Sequence, residues 1–309
     1  SSMQWTPESK VLVQGITQPL ATYYVPQMQA HGSQILAGVE PGQAGQTLGN
    51  IAIFDLVAEA MAVYPEITTS LLFVPPYNVL DAAREAINAG IRQLIVITPH
   101  VPSLDMLALL KKAQATGTIV LGSGSQGLLI PGQLWLGIAE PHCYSVGKIG
   151  IISRSDRLTD EVALSLTEAG LGQSLMVSLG SDAIVGTTFE QWLQVLEEDE
   201  QTEAIVLLGH PSSTEQLFAA EYITSAIEKP VVAYIPGFRA PLERSLGDAT
   251  TILANYLTST NVSASLEEQT LGKFQGENVH IARYLQEIAL LMEVLSCLLY
   301  TSPSPRDGL

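Results

Sequence analysis

The sequence predicts an α/β protein in two parts, each a mostly parallel sheet covered by helices on both faces. Three observations carry this. Apolar runs such as KVLVQ, QLIVIT and AIVLLG are nearly continuous rather than alternating, as strands buried on both faces must be. Segments with helical spacing separate them. The alternation also runs twice, interrupted once by a stretch at 123–147 rich in Gly, Ser and Pro, which reads as an interdomain connection with room for one hairpin.

The first series opens with a strand at Lys10–Gly15, a helix at Pro19–Ala30 and a strand at Gln34–Val39. A loop with three glycines, Pro41–Gly49, leads to a short strand at Ile51–Phe54 and a helix to about Tyr64, for which Asp55 is the expected cap. A strand at Ser70–Val74 is halted by Pro75-Pro76, and the helix Val79–Ala89 stops at Gly90. A strand at Gln93–Thr98, a helix capped by Ser103 and running to Thr116, and a strand at Thr118–Gly122 complete the series. The second series has strands at Ile149–Ser153, Ser174–Gly180, Ala204–Gly209, Val231–Ile235 and Val279–Ala282, helices between them and a last helix at Leu285–Val294. The final residues, Leu298–Leu309, show no pattern and read as a foreign or frayed tail.

The second series begins with KIGIISRSDRLTDE, Lys148–Glu161. Its strand ends in Ser153, Arg154 and Ser155, and a helix follows with Ser155 at the expected cap and Asp156 in the first turn. Free amides at such a helix start make an anion site, although an ordinary capped turn has the same sequence signature. In sheets of this kind ligands gather beyond the carboxyl ends of the strands.

The 309 residues are 47% hydrophobic and 15% charged, with mean hydropathy +0.26, so the chain buries a large core and is not disordered. The net charge of −17 argues against a nucleic-acid partner, which needs basic stripes. No apolar run reaches the roughly 18 residues of a membrane span. The start, SSMQWTPESK, has no apolar leader, and Met3 reads as the natural start. The two cysteines, Cys143 and Cys297, lack metal or redox spacing, and the histidines, His31, His100, His142, His210 and His280, are scattered. The expectation is therefore no metal site and a cytoplasmic location.

Five blocks in order then carry a resemblance: KVLVQGIT near the start, FVPPYNVLDAAREAINAGI at 73–91, GIISRSDRLTDEVALSLTEAGLGQS at 150–174, GTTFEQWLQVLEEDEQTEAIVLLG at 186–209 and KPVVAYIPGFRAP at 229–241. Over about residues 10–294 the chain resembles the alpha subunit of ADP-forming succinyl-CoA synthetase. The resemblance implies a Rossmann-like CoA-binding domain at 3–122, the connection at 123–147, a flavodoxin-like ligase domain at 148–296 and an unstructured tail at 297–309. It implies a beta-type subunit as partner, which supplies magnesium and ADP or ATP.

The family's phosphohistidine lies in a Gly-His-Ala-Gly motif, matched here by Gly247-Asp248-Ala249-Thr250, so the nucleophile position holds Asp248. The glutamate that supports the histidine is matched by His210. The two positions are exchanged, and a carboxylate–imidazole hydrogen bond survives either way round. For phosphate, Ser153, Arg154 and Ser155 match the family, while Asp156, Arg157 and Asp160 replace a glycine, a threonine and a tyrosine. For CoA, the family's Gly-Ile-Thr-Gly-x-x-Gly turn is Gly15-Ile16-Thr17-Gln18-Pro19-Leu20-Ala21 here, which puts Thr17 and Gln18 in the cofactor position with Gln18 and Ala21 as obstructions. A lysine is replaced by Gln43. Val74 and Pro75 lie at the next strand end, Thr-Glu-Gly has become Thr98-Pro99-His100, and the cysteine of Pro-Asn-Cys-Pro-Gly has become Ser125. The expected function is a divergent alpha subunit of a succinate–CoA ligase with a weakened CoA site and impaired catalysis. The alternative is an inactive CoA-binding, regulatory or scaffold paralogue.

Overall fold

The computed structural model describes residues 5–210, 215–236 and 278–301. Asp248 and the whole segment 246–251 therefore lie outside the described residues, as does the tail beyond residue 301.

The first sheet is built from β1 (Lys10–Gln14), β2 (Gln34–Val39), β3 (Thr47–Leu48), β4 (Ile51–Phe54), β5 (Thr69–Leu72), β6 (Gln93–Val96) and β7 (Ile119–Leu121). Its order is β3-β4-β2-β1-β5-β6-β7. All neighbours are parallel except the two-residue β3, which pairs antiparallel with β4. The connecting helices are α1 (Pro19–Ala30), α2 (Val57–Val63), α3 (Val79–Asn88) and α4 (Ser103–Thr116). After β4 the chain crosses back beside β1, so the strand order reverses between β1 and β5. That is the crevice where doubly wound folds of Rossmann type hold nucleotides.

The second sheet contains β8 (Gly127–Ile130), β9 (Leu134–Gly137), β10 (Val146–Ser153), β11 (Gln173–Ser178), β12 (Ala204–Leu208), β13 (Val231–Tyr234) and β14 (Val279–Ile281). Its order is β14-β13-β12-β10-β11-β8-β9. The parallel part has the flavodoxin order, with its reversal between β10 and β12. The helices are α5 (Thr159–Glu168), α6 (Phe189–Glu198), α7 (Glu215–Ala226) and α8 (Leu285–Thr301).

Strand pleating divides the first sheet's side chains between two cores. Val11, Val13, Leu71 and Ile95 join the cluster that continues into the second sheet. Their neighbours Leu12, Leu72, Leu94 and Val96 join a cluster beneath α2, α3 and α4. Successive residues of a strand face opposite ways, so a continuous apolar run is needed to supply both.

Several expectations are corrected. The hairpin β8–β9, within the stretch expected as a connection at 123–147, is the antiparallel edge of the second sheet, paired through Leu128 and Leu129 to β11. Asp55 does not cap α2: its carboxylate accepts from the Gly42 and Ala44 amides, and Glu85 of α3 accepts from Val57 N. Ser103 is the first residue of α4 rather than its cap, a position held by Pro102. The second series' first helix starts at Thr159, because the Ser155 hydroxyl closes the preceding turn by accepting from Leu158 N at 3.1 Å. The last helix extends through Thr301, past the expected start of the tail.

A polar network seals the junction of the two sheets. The Tyr24 hydroxyl of α1 donates to Glu140 at 2.9 Å, and Tyr144 donates to Asp160 of α5 at 2.9 Å. The Glu140 amide also donates to Asp160, at 3.3 Å, and His142 lies 3.8 Å from Glu140. Burial, then the bond to Glu140, pushes the Tyr24 hydroxyl up to about 12. Burial also raises Asp160, against the pull of Tyr144 and the Glu140 amide. The folded chain therefore holds the Asp160 proton to higher pH than the unfolded chain does. Stability is lost as pH rises from the ordinary carboxylate value, about 4, through the raised folded one. Asp160→Asn is expected to flatten this part of the pH profile of urea midpoints. A slope identical to that of the parent would rule the effect out.

Candidate functional site

The carboxyl edge of the first sheet gathers Thr17, Gln18, Val74, Pro75, Thr98 and Pro99 on the loops after β1, β5 and β6, with Gln43 on the loop after β2. Gly15 makes the crevice possible. It has φ +76°, and a Cβ there would lie 2.7 Å from Val74 N, so only glycine lets the two loops pass so closely. The Thr98 hydroxyl donates to Val74 O at 2.6 Å and ties the ends of β5 and β6 together. Gln18 stands at the N-cap of α1 without a capping side-chain bond. Gln43 closes a turn through its amide, which donates to Glu40 O at 3.1 Å.

The chain's own carboxylates occupy amides on this edge. Glu40, the residue after β2, accepts from the Thr17 hydroxyl at 2.8 Å and the Thr17 amide at 3.4 Å. Asp55, after β4, accepts from Gly42 N at 2.8 Å and Ala44 N at 3.1 Å. The sequence carries no Lys or Arg between Lys10 and Arg84, a span that includes β1, β2, β4 and β5. The backbone thus has the shape of a nucleotide crevice, and Glu40 and Asp55 place two carboxylates on its loops. Sequence reasoning missed Glu40 and read Asp55 as a helix cap rather than as a residue of this edge. Their signal was positional, an acid directly after each of two strands that end at the crevice.

Ser125 does not join this edge. It is buried, its hydroxyl donates to Ser178 O at 2.6 Å and accepts from Gly127 N at 2.9 Å, and its amide donates to Val96 O. It stitches the two sheets together. Beside it a cleft of about 240 Å³ opens between the sheets, lined by His100, Ser103, Ser123 and Asp182 among others. The Asp182 carboxylate accepts from the Ser123 hydroxyl at 2.5 Å and from His100 N at 3.2 Å. His100 has φ +62°, the one non-glycine residue with positive φ among the described residues. A backbone so placed costs on the order of 1 kcal/mol or more, and the Asp182 bond to its amide helps hold it there.

At the reversal point of the second sheet lie Ser153, the last residue of β10, Arg154 and Ser155 just after it, and His210, after β12. Ser153 is fully buried, and its hydroxyl accepts from Ser155 N and shares a 2.8 Å bond with Thr159. Arg154 is 1% exposed. Its Nη1 donates to Gly180 O and Asp182 O, both at 2.8 Å, and its Nε lies 3.5 Å from the Glu215 carboxylate. Of the three expected phosphate residues, Ser155 is the one that reaches solvent, flanked by exposed Asp156 and Arg157. Burial and then the Arg154 charge lower the pKa of His210, against the opposite pull of Asp156. The imidazole at the end of β12 is therefore neutral near pH 7. Among the described residues no His, Cys, Asp and Glu cluster could hold a metal ion, and no helix is long and apolar enough to cross a membrane.

Comparisons with known proteins agree with this division. A CoA binding domain model matches residues 6–100, and a succinyl-CoA ligase like flavodoxin domain model matches residues 146–258. Subunit alpha 2 of the ADP-forming succinate–CoA ligase of Archaeoglobus fulgidus is 37% identical over 79% of this chain and 85% of its own length. The corresponding alpha subunit of Aquifex aeolicus is 39% identical over 80% of this chain and 81% of its own. The malate–CoA ligase alpha subunit of Methylorubrum extorquens is 36% identical over 80% of this chain and 84% of its own. Among solved structures, ATP citrate lyase from Methanothrix soehngenii, in complex with citrate and coenzyme A, superposes with a TM-score of 0.76 at 18% identity. The match covers 96% of this chain and 51% of that one, a likeness of fold.

Proposed function

We propose, from the premise that this chain belongs to the succinate–CoA ligase alpha-subunit family, that it is a nucleotide-holding alpha-type subunit whose phosphoryl transfer is impaired. It pairs with a beta-type subunit, which brings magnesium and ADP or ATP, and it works in the cytoplasm. The acid it handles is of the dicarboxylate class, since its relatives are named for succinate and malate.

One placement carries this reading: His210, whose pKa burial lowers, follows β12 at the position where the resemblance implies a carboxylate. A glutamate at that place supports a phosphohistidine with negative charge. A neutral His210 beside the Arg154 guanidinium supplies no such charge. The nucleophile position, Asp248, is itself a carboxylate. Aspartyl phosphates occur in other enzymes, but the resemblance makes this a histidine position, and catalytic sites tolerate about 0.5 Å of error.

The test is incubation with labelled ATP and a competent beta subunit. No phosphate on the chain, acid- or base-labile, is expected, and stoichiometric label on Asp248 or His210 would sink the reading. The double substitution Asp248→His with His210→Glu is expected not to restore succinyl-CoA formation, because Glu40, Asp55 and Gln43 still shape the other site. Turnover by that variant would show that the nucleophile pair alone had been limiting. The same observations favour the second reading, a non-catalytic regulatory paralogue, if the chain co-purifies with the beta subunit but never carries label.

A further inference from the structure

We propose that Glu40 makes the first-sheet crevice select an adenine nucleotide whose ribose hydroxyls are free, so that dephospho-CoA binds in preference to CoA. The inference rests on the reading of this domain as a CoA-type nucleotide site.

Glu40 follows β2 directly and stands across the crevice from the β1–α1 turn, to which its carboxylate is tied through Thr17. In the doubly wound order, an acid at the end of this strand accepts hydrogen bonds from the adenosine ribose, and a cation there accommodates a ribose phosphate instead. A carboxylate has lone pairs to spare after two bonds from Thr17, so it can take a ribose hydroxyl as well. It cannot take a phosphate: CoA differs from dephospho-CoA by a ribose phosphate carrying about two negative charges at neutral pH.

The surroundings do not offset that charge. Asp55 anchors the neighbouring loop through Gly42 N and Ala44 N, so those amides already have an anionic partner. Gln43 contributes no cation, and none is encoded between Lys10 and Arg84. The pyrophosphate common to both ligands is not excluded in the same way. It belongs at the start of α1, where Pro19 has no N–H but the Leu20 and Ala21 amides that follow are among the helix's first-turn donors. Specificity of this kind is a penalty built against one ligand rather than an added contact to the other.

Titration calorimetry of the full chain with CoA and with dephospho-CoA tests this. Dephospho-CoA is expected to bind about tenfold more tightly. Glu40→Gln removes the charge and keeps the shape, and is expected to abolish the preference by raising the affinity for CoA. Gln43→Lys is expected to strengthen CoA binding while leaving dephospho-CoA unchanged, which provides an independent check should Glu40→Gln fold poorly. Equal affinities, or tighter CoA binding by the parent chain, overturn the inference and leave the CoA reading of the domain intact. Binding of neither ligand removes that reading, and the inference falls with it.

Discussion

Arg154→Met is expected to cost the folded chain roughly 3–5 kcal/mol, the penalty for breaking a buried charge pair from one side. Arg154 directly follows β10, and its guanidinium bonds to the Gly180 and Asp182 carbonyls beyond β11 and pairs with Glu215 at the start of α7. Three neighbouring elements are therefore held by one side chain that is 1% exposed. Methionine matches the stem and abandons two buried carbonyls and a carboxylate that burial already raises. Burial is also the largest influence on Arg154, lowering its pKa, so desolvation works against both partners, and the Nη1 bonds to the Gly180 and Asp182 carbonyls hold the guanidinium in place beside Glu215. Lysine is expected to recover little, since one ammonium cannot stand at the Nη1 position between the two carbonyls and at the Nε position beside Glu215 at once. Urea unfolding reads the loss as a lower midpoint. If Arg154 were instead held for phosphate alone, the midpoint would hardly move and only anion binding would fall. A change below about 1 kcal/mol, the range of an exposed pair, would return Arg154 to that role. Displacement of Asp182 is also expected to loosen His100 and Ser123, because the Asp182 carboxylate anchors both sides of the interdomain cleft.

What could be read from the residues divides along physical lines. Strands buried on both faces announce themselves, because each pleat direction demands apolar residues, and the runs at Val11–Val13 and Ile205–Leu208 satisfy both. Caps were less legible. Ser155, Asp55 and Ser103 all sit where a helix cap would, yet the first closes a turn, the second holds the loop after β2, and the third lies inside its helix. A short polar side chain can serve any nearby amide, and tertiary geometry chooses which. A hairpin within 123–147 was legible, but its membership of the second sheet follows from a long-range pairing with β11 that no local pattern records. The candidate site shows the same limit. Matching residues named Ser125 and Arg154, but only the fold reveals that their polar atoms are committed to carbonyls in the core. Glu40 was open to view as an acid after a strand, whereas its reach to Thr17 depends on the crossing of two loops at Gly15.

Trp192→Ala is expected to cost a similar amount, roughly 3–5 kcal/mol for a buried aromatic removed, and to change how the chain unfolds. Trp192 on α6 is 1% exposed, and its indole N–H donates to the Thr187 hydroxyl at 3.1 Å. Its ring stacks on Trp5 with centroids 6.2 Å apart and planes 17° from parallel. Trp5 in turn donates to Thr69 on β5, whose hydroxyl donates to Gln93 on β6. The stack thus ties a helix of the second sheet to the first residue of each of two neighbouring strands in the first, Thr69 and Gln93. Alanine empties the site on α6, strips one face of Trp5 of its partner and leaves Thr187 without its donor. Phenylalanine keeps a ring against Trp5 and loses only the hydrogen bond and part of the area, so its cost is expected to be smaller by more than the ~1 kcal/mol of an aromatic pair. Two sheets that share one core unfold together as long as their junction outweighs the difference in their separate stabilities. With the stack gone, and with Trp135→Phe present in both parent and variant so that Trp5 is the one tryptophan left in the variant, Trp5 fluorescence and far-ultraviolet circular dichroism are expected to report separate urea midpoints, the Trp5 transition coming first. Coincident transitions in Trp192→Ala, with a midpoint near that of the parent, would mean that the junction is carried by Tyr24, Glu140 and Asp160 rather than by the paired indoles.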